Sequence, residues 1–199
     1  MKNKILGFCL AASLAVPAFA ADSGLFVEPM LTYENGEADV DLPSPFGSSK
    51  SEIDGFGLGA RFGFHFANSI FLGVDGRYSK PTYKNDDADV NSDATSYNIG
   101  PMVGFQMPTA LGIRVFGGLI MSGQMDVEED NGRDFKFKDA SGYRIGAGIK
   151  LALVSLNLEY QNIMYDKTEA SGSNWSASSD NIDQENRSYV FSVSFPIFL

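Results

Sequence analysis

The chain has 199 residues, with 15 Lys and Arg against 25 Asp and Glu, one histidine, one cysteine and a formal net charge of −10. That acidic balance argues against nucleic acid or an anionic membrane surface as the main partner, since both require clustered basic side chains. A lone cysteine excludes an intrachain disulfide framework, and a single domain is expected at this length.

The first twenty residues stand apart from the fold. Lys2 and Lys4 form a positive start, residues 5–16 are apolar, and Ala18-Phe19-Ala20 has the small-x-small pattern of a cleavage site. Together these read as a secretory signal peptide cut after Ala20. Cys9, preceded by the bulky Phe8, reads as filler in the apolar core rather than as a lipid attachment point. The domains expected are thus a signal peptide, 1–20, and one unit over 21–199. Without Lys2 and Lys4 the latter carries 13 basic against 25 acidic residues and no cysteine, for a net charge of −12. Past residue 20 no apolar run approaches the roughly 18 residues of a membrane-spanning helix.

Eight segments with strict alternation follow, each near the roughly 9–11 residues of a tilted membrane-spanning strand. The first sets Leu25, Val27, Pro29, Leu31 and Tyr33 against Phe26, Glu28, Met30, Thr32 and Glu34. The second opposes Phe56, Leu58, Ala60, Phe62 and Phe64 to glycines and Arg61, and the third opposes Ile70, Leu72, Val74 and Tyr78 to Gly73, Asp75 and Arg77. In the fourth, Tyr97, Ile99, Pro101, Val103 and Phe105 face away from Asn98 and Gln106. The fifth puts Ile113, Val115, Leu119 and Met121 on one side and Arg114, Phe116, Ser122 and Gln124 on the other. The sixth and seventh separate Tyr143, Ile145, Ile149, Leu156 and Leu158 from Arg144, Lys150, Asn157 and Glu159. The eighth ends the chain, with Tyr189, Phe191, Val193, Phe195, Ile197 and Leu199 on one face and Ser192 and Ser194 on the other. Such a greasy terminal strand invites aggregation in water, whereas closing a barrel in lipid pairs its edge and gives its apolar face a solvent.

Connections alternate between short ones, at 67–69, 108–110 and 152–153, and long polar ones at 35–52, 79–94, 126–140 and 166–186. Tyr33, Tyr78, Tyr97, Tyr143, Tyr160 and Tyr189 fall near the long-loop ends; Phe64, Phe66, Phe105 and Phe195 fall near the short turns. Tyr165 is expected beside the last loop and Tyr83 within a loop. These are the two rims and two aromatic girdles of an outer-membrane barrel. The fold expected is all-β, an eight-stranded antiparallel up-and-down transmembrane β-barrel. Pro29 and Pro101 cannot donate to a ladder, so bulges are expected there.

A barrel of eight strands is just wide enough to be filled by its own side chains. The inward face receives Arg61, Arg77, Arg114, Arg144 and Lys150, with Glu28, Asp75 and Glu159 as counter-charges and Glu34 near the outer rim. Buried charges must be paired, so an ion-pair network is expected, with inward glycines making room for long basic chains. Three glycines, Gly76, Gly117 and Gly123, are expected to face outward. A polar pore or gate is the alternative use of the same charges.

No catalytic residue is assigned. His65, the sole histidine, reads as a turn residue at the short-turn rim, with no Ser-His-Asp set around it. The spacing Asp87-x-Asp89-x-Asn91-x-Asp93 offers alternate oxygen ligands, but Ser92 replaces the turn glycine and Asn98 the distal glutamate of a calcium loop, so no metal is assigned. Asp86, Asp126, Glu128, Glu129 and Asp130 make the long loops acidic, and any contact with lipopolysaccharide there would be bridged by divalent cations. Trp175 in the fourth loop is a possible anchor for a partner.

With its signal peptide, eight alternating segments, alternating loop lengths and aromatic last strand, the chain resembles the OmpX/OmpA-barrel type of Gram-negative outer-membrane protein. The resemblance covers residues 21–199 and implies the bacterial outer membrane, surrounding lipid and lipopolysaccharide, and recognition of the last strand by the barrel-assembly machinery. It departs from the family's usual terminal phenylalanine, having Leu199 after Phe198. The function expected is a structural or surface-interaction barrel, non-enzymatic and without cofactor, with loops open to an extracellular ligand. A narrow pore and a lipid-modifying enzyme are the alternatives.

Overall fold

The computed structural model describes residues 23–41, 48–67, 69–85, 90–109, 111–130, 133–172, 175–179 and 184–199. The expected signal peptide with Cys9, the acidic residues Asp86, Asp87 and Asp89, and the side chains of Glu129, Asp130 and Trp175 lie outside what is described.

Strands β1 (Gly24–Asp41), β2 (Ser48–Phe66), β3 (Ile70–Asn85) and β4 (Val90–Gln106) pair in order, each antiparallel to the last. The fifth ring member is split into β5 (Ile113–Ile120) and β6 (Ser122–Asp130); β7 (Arg133–Leu151) and β8 (Val154–Gly172) follow. A short β9 (Trp175–Ser179) folds back on β8. The eighth member is split again, into β10 (Gln184–Ser194) and β11 (Ile197–Phe198), and both pieces pair with β1. The chain therefore closes as an eight-member antiparallel barrel with no free edge in its wall, as a lipid environment requires.

From the short turns up to the tyrosines the side chains alternate as the sequence implies. Leu31, Phe56, Leu58, Phe62, Ile99, Val103 and Ile145 are exposed, whereas Glu28, Arg61, Asp75, Arg114 and Glu159 are buried. The upper tyrosines form a cross-strand belt: Tyr78 is the register partner of Tyr97 and Tyr160 that of Tyr189, the latter rings 5.6 Å apart.

Several expectations change. The strands are much longer than a membrane crossing, with β2, β7 and β8 each 19 residues. Much of what reads as long polar loop is thus continuing ladder, with charge outside and, inside, small or apolar residues together with the uncharged polar side chains of Gln184, Asn186 and Thr168. Tyr83 lies on β3 and Tyr165 on β8, where it is buried rather than beside a loop. Asp126 belongs to β6 and its carboxylate pairs with Lys136 Nζ at 2.8 Å, so this acid is a rung of the wall rather than part of an open loop.

The inside-outside phase also slips where the sequence implies no slip, between β4 and β5–β6 and again within β7 and β8, where Phe137 and Ala140, and Tyr165 and Thr168, are buried three residues apart. Met102 pairs with Gly118 but Ile99 with Ser122, so the β5–β6 side carries one extra residue opposite Gly100. Ser122 is consequently exposed and Gly123 buried, the reverse of the expected register. Such a bulge swaps the faces of the residues after it on its own strand. Gly100 is required there, because a Cβ would lie 1.8 Å from the Leu119 carbonyl oxygen.

The bulge abuts Pro101, as expected, although the extra residue is on the neighbouring strand. At Pro29 there is no bulge. The β1–β10 and β1–β11 registers match on either side, and the ladder skips a bond in the gap at Phe195–Pro196, where Phe195 N donates to the Pro29 carbonyl at 2.9 Å. Each proline is placed where its neighbour strand is already interrupted, so neither leaves a donor stranded.

Candidate functional site: the filled lumen

Three consecutive strands bring the central charges together by register alone. Glu28 on β1 is the partner of Arg61 on β2, and Arg61 is the partner of Asp75 on β3. All three point inward at one level. Arg61 is fully buried and donates in three directions: Nε to Asp75 at 2.9 Å, Nη1 to Glu28 at 3.2 Å and Nη2 across the lumen to Glu159 on β8 at 2.9 Å. It is the hub of the network.

The other arginines complete each carboxylate. Arg114 grips Glu28 with both terminal nitrogens at 2.9 Å, and Arg77 grips Asp75 through Nε and Nη2 at 2.9 and 3.0 Å. Arg77 also reaches Glu159, while Arg144 donates to Asp75 at 2.6 Å and to Asn98. Ser194 donates to Glu28 at 2.6 Å, so the terminal strand's small inner residues serve as hydrogen-bond partners. Planar guanidinium forks suit this role because they satisfy two carboxylate oxygens at once. Breaking such a buried cluster by removing one partner costs about 3–5 kcal/mol, because an uncompensated charge stays behind.

Of the eight charged residues the sequence puts in the lumen, seven meet in this network. Lys150 does not join it. Its ammonium sits 4.5 Å from the Phe198 ring centroid, nearer the short-turn end, and among the described residues no carboxylate lies within 4.0 Å of it. Glu34 sits one tier above the network and accepts hydrogen bonds from Gln161 at 3.0 Å and Ser188 at 2.9 Å.

Beneath the charges lies a layer the sequence reading missed. Phe26, Phe71, Met102 and Phe116 are buried together, with Phe198 against them. Arg61 stacks over Phe116 at 4.3 Å and Arg114 over Phe71 at 4.9 Å, which joins the two layers by cation–π contact. His65 belongs to this layer rather than to a turn: it is a buried β2 residue, stacked on Phe71 at 5.8 Å with an edge against Phe198 at 5.6 Å. It turns inward because it follows Arg61 by four residues on the same strand face. Inward glycines serve this aromatic layer as much as the basic chains. A Cβ on Gly104 would fall 2.1 Å from the Phe71 ring, so that glycine is the seat of the ring. The signal available in the sequence was the alternation itself, which sets Phe26, Phe71, Phe116 and Phe198 on the same face as the arginines.

Above the charges a third layer fills the long-hairpin end of the barrel. Ile120, Met125, Val127, Phe137, Ile163 and Tyr165 are buried with Ala94 and Ala140, and Tyr83 packs against them. Outside this layer the wall is studded with paired charges, including Lys138–Glu169 at 2.7 Å and Arg187–Asp39 at 2.9 Å. Glu169 and Glu185 are each held below the usual carboxylate range, Glu169 by a hydrogen bond from Lys138 and Glu185 chiefly by one from Arg187. Asn91 and Asp93, half of the acidic spacing noted above, lie on β4 as register partners of Lys84 and Thr82. Among the described residues no cluster of three or more metal-ligating side chains is present.

The outer membrane protein beta-barrel domain model matches residues 6–195. No curated protein matches the chain in sequence. Among solved structures, OprG from Pseudomonas aeruginosa is similar at 13% identity, with a TM-score of 0.53 over 88% of this chain and 97% of that one. AlkL, an outer membrane protein solved in lipid bilayers, is similar at 15% identity and a TM-score of 0.53, over 92% and 95%. Neisserial surface protein A matches at 20% identity and a TM-score of 0.45, over 86% and 97%. For OprG and AlkL, at these identities, the likeness is one of fold, and that fold agrees with the family. This chain belongs to the outer membrane protein beta-barrel domain family, a family of the bacterial outer membrane.

Proposed function

We propose that this protein is a closed, non-catalytic barrel that stabilises the outer membrane and presents its extracellular hairpins as a contact surface. The observation that supports the reading is the stack of three filled layers, aromatic, ionic and apolar, one above another along the axis. A solute would have to displace a buried ring, separate bonded ion pairs and then part an apolar core. The carboxylates Glu28, Asp75 and Glu159 are each held by two or more arginines, which leaves none available as a general base. The lumen network is thus given a stabilising role, and export through the segment 1–20 with insertion directed by the last strand belongs to the same proposal.

Single-channel recording on the refolded full chain in a planar bilayer tests it, with conductance at the level of leak as the expected result. Stable channel events whose size changes in Arg61→Gln or Arg114→Gln would establish a narrow pore instead. Altered lipid composition in cells expressing the protein would establish a lipid-modifying enzyme.

A further inference from the structure

On the outer wall, β1, β2, β3 and β10 frame a groove that changes character along its length. Its lower part is apolar, walled by Leu31, Leu58, Phe191 and Val193; its upper part carries Tyr33, Phe56 and Tyr78, and above them Lys80, Thr82 and Asp54. Phe56 stands out from the wall at 73% exposure, its ring 5.0 Å from that of Tyr33. Lys80 is the direct register partner of Phe56 and lies two residues beyond Tyr78 on the same strand face. This is the level at which an aromatic belt meets lipid headgroups.

Lys80 also differs in its pairing from the other basic residues described on the outer wall. Lys50 pairs with Asp39 at 3.7 Å, Lys84 with Asp54 at 3.3 Å, Lys136 with Asp126 at 2.8 Å, Lys138 and Lys167 with Glu169, and Arg187 with Asp39 and Glu185. For Lys80 no carboxylate lies within 4.0 Å among the described residues, and the one acid in its groove, Asp54, is taken up by Lys84. An exposed ammonium without a counter-ion among the described residues, set directly above an apolar groove, matches a ligand with an anionic head and hydrocarbon tails.

We propose that this groove is a binding site for an outer-leaflet lipid bearing a phosphate headgroup, with Lys80 and the Thr82 hydroxyl at the phosphate and the acyl chains against Leu31, Leu58, Phe191 and Val193. A second copy of the chain fits less well, because a two-fold contact through this groove would bring Lys80 toward its own symmetry mate. The proposal stands whether or not the lumen conducts.

The test uses the full chain refolded into phosphatidylcholine nanodiscs, with native mass spectrometry counting retained lipid. The probes are a bis-phosphorylated lipid A and its phosphate-free counterpart. Wild type should retain the phosphorylated probe preferentially. Lys80→Gln should retain it about fivefold less, the effect of one basic residue at a charged lipid surface. Lys80→Arg should restore retention, and Lys136→Gln, whose lysine is already paired, should leave it unchanged. Phe56→Ala should weaken both probes together. All of these side chains are on the outer wall, so an unboiled gel shift confirms a folded barrel in each variant. Equal retention of both probes by wild type, undiminished retention in Lys80→Gln, or a dimer peak that displaces the lipid would each overturn the proposal.

Discussion

The lower and upper parts of this barrel are inside-out versions of each other. At membrane level the wall is apolar outside, with Leu58, Phe62 and Val103 exposed, and ionic inside around Arg61. Above the tyrosine belt the same strands are ionic outside, with Lys136–Asp126 and Lys138–Glu169, and apolar inside around Met125 and Ile163. Most of the wall strands run through both, the fifth member being interrupted by its bulge at the junction. What changes is the solvent: lipid cannot satisfy a charge, so charges turn inward where they can pair, while water reverses the preference. A single closed ladder can thus carry two opposite cores, provided each inner layer is complete.

The sharpest way to break the comparison is to remove the hub of the lower core. Arg61→Ala leaves Glu28, Asp75 and Glu159 short of their shared cation, and a loss of about 3–5 kcal/mol is expected in guanidinium unfolding of the refolded barrel. A change below about 1 kcal/mol would mean the network contributes little to holding the barrel together.

The upper core should fail differently. Met125→Ala removes a fully buried side chain from the apolar layer and is expected to cost about 2–5 kcal/mol, felt locally. Protease added from outside should then cut the extracellular hairpins while the membrane portion keeps its unboiled gel mobility. Cooperative loss of the entire barrel would show that the two cores are one folding unit.

A smaller effect tests the seating of the aromatic layer. Gly104→Ala places a methyl against the Phe71 ring and should cost about 1–3 kcal/mol by overpacking. Adding Phe71→Leu to that variant should return part of the loss, and additivity of the two changes would argue against the contact.

The smallest effect comes from the outer charges. Glu169 and Glu185 have depressed pKa values, so their contribution is present above the ordinary carboxylate pKa and fades as pH falls through their lowered folded values. Acidification should therefore lower the amide protection factors, corrected for the pH dependence of intrinsic exchange, in the upper β7–β8 and β8–β10 ladders. Glu169→Gln should remove that pH dependence at β7–β8 alone.

Sequence reading and structure part company at identifiable places. The inward set Glu28, Arg61, Asp75, Arg77, Arg114, Arg144 and Glu159 was visible because a two-residue period is unambiguous when one face is lipid-apolar. His65 was misplaced because a strand that runs on toward the turn looks like turn sequence when its outer neighbours, Phe64 and Phe66, are read only as girdle. Above the belt the contrast fades: Ala94, Ala140 and Val127 inside and charged residues outside do not look like a membrane strand, so by sequence this ladder has the look of a loop. The bulge opposite Gly100 then reversed the faces of Ser122 and Gly123, an event that leaves no mark in composition.

The sequence by itself determined that the chain is all-β, that it has eight wall members, and which residues face the lumen at membrane level. The physical reason is that alternation and turn length are local properties. Only the tertiary structure decided which carboxylate meets which arginine, that Lys150 lies against Phe198 instead, and that Lys80 stands over an apolar groove with no carboxylate of the described residues within 4.0 Å. Those depend on strand register and on closure of the ring, which bring Arg61 to Glu159 across 98 residues of chain, and no local pattern encodes that meeting.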